Sequence, residues 1–74
     1  MTYEVIYEKH WGEITDDEVR TVARDGGVSV CDHALSLWGD PEYVVTFGED
    51  KAHAARLRWL DMRERVRAYM DVRL

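Results

Sequence analysis

From Asp50 to Arg73 the chain contains neither glycine nor proline, and Ala, Leu, Met, Arg and Glu, all good helix formers, dominate it. One helix of about 23 residues, spanning about 35 Å, is the expectation. At 100° per residue, Ala52, Ala55, Trp59, Met62, Val66, Tyr69 and Met70 share one side, which is the expected core face. Arg56, Arg63 and Arg67 run along one border of that stripe and Arg58 and Arg65 along the other, where aliphatic stems can cover apolar surface while the guanidinium heads reach water. Leu57 and Leu60 fall outside the stripe, and they either meet other elements or form an exposed contact patch.

The whole chain has 74 residues. A chain of this size buries only about 60% of its unfolded surface, so the fifty residues before the rod must cover one side of it and leave no deep cleft. Tyr3, Val5 and Tyr7 alternate with Glu4, Ile6 and Glu8, the period of a half-buried strand, and a strand is expected over 2–8. Thr15 and Glu18 have the spacing of a capping box, so a helix of about ten residues should begin at Asp16 and stop at the Gly26-Gly27 pair, with Val19, Val22 and Ala23 facing inward. Ser29 can cap a second short helix carrying Val30, Ala34, Leu35, Leu37 and Trp38, closing at Gly39; a brief strand over 28–31 is the alternative. Tyr43-Val44-Val45-Thr46-Phe47 is β-branched and aromatic between Pro41 and Gly48, and it reads as a strand pairing with the first. The expected fold class is therefore α+β. Residues 1–74 form a single small compact domain in the order β-α-α-β-α, a two-stranded sheet covered by two short helices and one long C-terminal helix.

One cysteine, Cys31, cannot form an internal disulfide, which favours a reducing compartment and a cytoplasmic protein. The N-terminal residues lack the basic and apolar segments of a signal peptide, and no run approaches the roughly twenty apolar residues of a membrane span. No membrane partner is expected.

Charge is distributed unevenly. Residues 1–50 hold three cations against twelve carboxylates, a net −9, while residues 51–74 hold seven cations against three carboxylates, a net +4. The acidic half offers Glu4, Glu8, Glu13, Asp16, Asp17, Glu18, Glu49 and Asp50 as a surface for a basic partner. Several of these also complement helix N-termini, and capping with solubility is the plainer use of them. A helix-turn-helix reading of the two short helices fails on charge, because 30–38 contains Asp32 and no Lys or Arg to meet phosphate. Direct nucleic-acid binding is not expected, and the arginines bordering the last helix are read as flanking its core stripe.

Nothing in the chain has the pattern of an active site. Cys31, Asp32 and His33 are adjacent rather than at metal-ligand spacing, with His10 and His53 remote, so neither a metal nor a cofactor is expected. Cys31 has acidic rather than basic neighbours, which argues against an activated thiolate. The glycines form no phosphate loop, and Asp16 and Asp17 point in different directions on a helix. No enzymatic activity is expected. Trp11 and Trp38, near turns, are read as closing a small core rather than anchoring a partner.

In size, acidity, α+β plan and lack of a catalytic signature, the chain resembles the anti-CRISPR proteins, small phage-encoded inhibitors of host machinery, and Glu4, Glu8, Glu13, Asp16, Asp17, Glu18, Glu49 and Asp50 carry that resemblance. It implies a non-enzymatic inhibitor that uses an acidic face, in the manner of a DNA mimic, to occupy the DNA-binding path of a basic nucleic-acid-binding complex such as a type I CRISPR surveillance complex. The basic last helix departs from a uniformly charged mimic. The other expectation is a small regulatory or accessory interaction module, antitoxin-like, that associates through the long helix by Leu57 and Leu60. The chain is then a monomer or a weak homodimer, and solution mass separates the two expectations.

Overall fold

The computed structural model describes residues 13–73, and everything in them that is regular is helical. Four helices follow one another: α1 (Asp16–Asp25), α2 (Val28–Trp38), α3 (Pro41–Phe47) and α4 (Glu49–Arg73). The first three lie along one side of α4, with α2 making the broadest contact, then α1, then α3. At about 1.5 Å per residue the 25 residues of α4 are about 37 Å long, close to the 40 Å long axis of the molecule.

Each boundary has a local cause. The Thr15 hydroxyl accepts the Glu18 N–H at 3.2 Å while Glu18 Oε1 accepts the Thr15 N–H at 3.3 Å, the reciprocal capping box expected at the start of α1. The chain leaves α1 through Gly26 and Gly27, whose N–H groups donate back to the Val22 carbonyl. Gly27 is buried with φ +64°, a conformation that side-chain-bearing residues rarely adopt, and a Cβ there would lie 2.9 Å from Met70 Sδ. α2 begins at Val28 with Gly27 as its N-cap and no side-chain cap, so Ser29 lies inside the helix rather than capping it, and the brief-strand alternative over 28–31 is replaced by helix.

The α+β expectation is overturned, since no strand occurs among the described residues and 43–47 is helical. Asp40 accepts the Glu42 N–H at 2.8 Å, Pro41 sits in the first turn, and the Gly48 N–H closes on the Val44 carbonyl at 2.8 Å, so both ends of a helix are specified around a segment of high β-propensity. Packing then settles the matter. Tyr43 and Phe47, four apart, meet Trp38 together with ring centroids 5.5 and 5.1 Å away, whereas Val45, which a strand would place on their side, is 84% exposed. The expected strand over 2–8 lies outside the described residues.

The core lies between α4 and its three covering helices. Ala52, Ala55, Trp59, Met62 and Val66 supply the α4 side; Val19, Val22, Val30, Cys31, Ala34 and Trp38 supply the other. Trp38, at 0% exposure, and Trp59, at 1%, are its largest side chains, and α3 caps Trp38 with Tyr43 and Phe47. Of the stripe expected on the long helix, Tyr69 is half-buried and Met70 reaches the surface. No helix of the described residues is long and apolar enough to cross a membrane.

Replacing Gly27 by Ala should lower stability by roughly 1–2 kcal/mol, mainly from the left-handed backbone and partly from displacing the Met70 thioether. Urea unfolding followed by helical circular dichroism measures this, and an unchanged midpoint would refute the strained turn.

Candidate functional site

The acidic residues singled out from the sequence divide into several groups. Glu4 and Glu8 lie outside the described residues. Glu13, Asp16 and Asp17 are exposed around the start of α1, where Asp17 pairs with Arg20 one turn later and holds that guanidinium charged through a side-chain hydrogen bond. Glu18 does not belong to a surface at all. Its carboxylate turns inward, with one oxygen in the capping box and the other 2.6 Å from Arg58 Nη2 on α4; the two side chains are 6% and 9% exposed. Glu49 and Asp50 are exposed in the first turn of α4.

The basic helix spends much of its charge internally. Arg58 binds Glu18, Arg63 Nε reaches Asp32 of α2 at 2.9 Å, Arg65 pairs with Asp61 on the same helix at 3.3 Å, and Arg56 Nη1 donates at 2.8 Å to the Trp38 carbonyl at the end of α2. This last contact places a cation at a helix C-terminus, where the macrodipole favours it. The segregation of sign along the chain is thus partly cancelled in space, because α1 and α2 both lay carboxylates against α4 arginines. A depression of about 340 Å³ beside Arg58 is lined by Glu13, Ile14, Arg58, Asp61 and Arg65, two cations and two carboxylates.

A different acidic surface remains. Between Arg24 and Lys51 the sequence has no Lys or Arg. Of the six carboxylates in that interval, Asp25 pairs with Arg24 and Asp32 with Arg63, leaving Asp40, Glu42, Glu49 and Asp50 exposed and without an ion pair among the described residues. They flank the two ends of α3, whose outward side presents Val45 over a shallow depression lined by Pro41, Glu42, Val45 and Thr46. Sequence reading passed over Asp40 and Glu42; the cation-free interval was the signal that could have found them. It also missed Arg58 as the partner of Glu18, forty positions away, for which local spacing carries no signal.

Cys31 is fully buried in α2, and loss of water pushes its thiol up from 9.0 to about 11, with the Asp32 carboxylate adding to the shift. No three His, Cys, Asp or Glu side chains among the described residues are placed to share a metal ion. In comparisons with known proteins, no family model, curated protein or solved structure matches the chain.

Two outcomes follow from this geometry. Truncating either Glu18 or Arg58 to Ala should cost about 3–5 kcal/mol, because the remaining charge stays buried after losing this ion pair, while the double variant Glu18→Leu with Arg58→Met should cost clearly less than the two single losses together. Denaturant melts of the four proteins test it, and simple additivity would contradict a buried pair. For Cys31, a folded-state value raised above the unfolded one means that the thiol contributes fully to stability below pH 9.0 and loses that contribution as pH rises through about 11. Iodoacetamide at neutral pH should label native protein only as fast as it unfolds, and labelling at the rate of a free thiol would show that the site opens locally.

Proposed function

We propose that this protein is a non-enzymatic binding protein that presents the acidic surface around α3 to a basic, nucleic-acid-binding protein complex and so blocks access of DNA. The observation that carries the reading is the group Asp40, Glu42, Glu49 and Asp50, exposed and free of ion pairs among the described residues, in an interval without Lys or Arg. Unpaired carboxylates around an exposed Val45 offer long-range attraction for a cationic groove and a small apolar contact at its centre. The surface keeps Glu49 and Asp50 of the one expected from the sequence and leaves out Asp17 and Glu18, which are committed to Arg20 and Arg58. The resemblance in size and acidity to anti-CRISPR inhibitors suggests the partner class, a type I CRISPR surveillance complex in the cytoplasm, although an α+β plan is no longer part of it.

A second reading is a regulatory or accessory module that associates through α4. The exposure of Leu57 (55%) and Leu60 (49%) on that helix favours it.

Affinity for a purified type I surveillance complex should fall steeply between low and physiological salt, and Asp40→Lys with Glu42→Lys should weaken it about tenfold or more, with helical content unchanged. Reversal of Asp16 and Asp17 should matter less, and reversal of Glu18 should unfold the domain instead. Binding that ignores both salt and the α3 reversals would defeat the proposal.

A further inference from the structure

The outward side of α4 carries a second regular strip. Asp50, His53, Leu57, Leu60, Glu64 and Arg67 recur at alternating spacings of three and four residues, and all six are exposed. On a helical wheel they lie roughly opposite Ala52, Ala55, Trp59, Met62 and Val66, which have the same alternation and face the core. One helix thus bears two seams of the kind through which helices pair, and the described residues cover only one of them. In the unused seam the side chains of Asp50, His53, Glu64 and Arg67 take part in no ion pair or hydrogen bond among the described residues.

The geometry points to a second copy of this chain as the occupant, docked antiparallel along α4 with the two-fold axis passing between Leu57 and Leu60. This deepens the second reading above and rests on it. In that register Leu57 meets Leu60 of the second copy, His53 meets Glu64, and Asp50 meets Arg67, each layer occurring twice by symmetry. The apolar layers fall at the centre and the charged layers outside them, each an acid against a basic or protonatable group. A parallel pair would instead set Asp50 on Asp50, Glu64 on Glu64 and Arg67 on Arg67, like charge on like in three of the six layers. The sequence therefore selects the antiparallel orientation through its charges. With two leucines per copy, the apolar centre is small, and the dimer is a weak, reversible one. α1, α2 and α3 cover the other side of α4, leaving the seam open to the second copy.

Sedimentation equilibrium over a wide concentration range tests the pairing. The natural protein should show a reversible monomer–dimer equilibrium. Leu60→Asp, at an exposed position, should leave it monomeric with its helical content intact. Asp50→Arg alone and Arg67→Asp alone should each weaken self-association roughly tenfold, because each creates two like-charge layers. An equimolar mixture of those two variants should form a heterodimer at least as tight as the natural dimer, since every outer layer is then complementary. A natural protein that stays monomeric at the highest concentration, or a Leu60→Asp variant that still dimerises, overturns pairing through this seam. A dimer abolished by Leu60→Asp but indifferent to both charge exchanges overturns the antiparallel register while leaving association through α4 standing.

Discussion

Everything in the described fold depends on the apolar stripe of α4, because none of the other helices is long enough to stand without it. Helices of 10, 11 and 7 residues fall below the length at which an isolated helix is stable in water, and each persists by laying its apolar side on the same rod. α4 is long and built from good helix formers, but its place in the fold comes from packing. Its buried Trp59, Met62 and Val66 convert an arginine-rich helix into the floor of a core. The three short helices follow one another with little chain between them, since one glycine separates α3 from α4 and two glycines separate α1 from α2.

Electrostatics reinforces this arrangement from inside. Arg58 and Glu18 are buried together where α1 crosses α4, and the same carboxylate closes the capping box of α1. One side chain therefore ties the start of one helix to the middle of another. Such a pair adds little net stability over an apolar replacement, yet it strongly penalises any packing that separates the partners, so its effect is to fix how α1 sits on α4. Arg63 on Asp32 and Arg56 on the Trp38 carbonyl do the corresponding work for α2 at lower burial. A basic helix under acidic ones is thus a structural complement, and the charge left for a partner is the part that this complementarity does not consume.

That remainder is located where the fold has least core to offer. α3 has no fully buried residue, and it touches the core through Tyr43, Val44 and Phe47 while its other side, with Val45, faces outward between carboxylates that have no ion pair among the described residues. The proposed partner surface and the proposed dimer seam use different sides of the molecule and share only Asp50. A dimer would carry two copies of the acidic end, one near each end of the paired helices.

The sequence by itself determined the helices that carry their own punctuation: the capping box at Thr15 and Glu18, the Gly26-Gly27 stop, and the long run free of glycine and proline, with its core stripe read correctly from Ala52 to Val66. It also marked Leu57 and Leu60 as lying off that stripe. Tertiary structure decided the state of 43–47, where Asp40, Pro41 and Gly48 bracket a helix but β-branched and aromatic composition points to a strand; propensities there differ by well under the energy of seating two rings against Trp38. It decided, too, which carboxylates remain available. The sequence marks Glu18 as a capping-box partner of Thr15, but only the approach of Arg58 from forty residues away gives its other oxygen a buried partner, while Glu13 stays at the surface. The physical reason is one of range. Caps, turns and periodicity act within a few residues and leave their mark locally, whereas ring packing and buried ion pairs depend on partners that only the folded chain brings together.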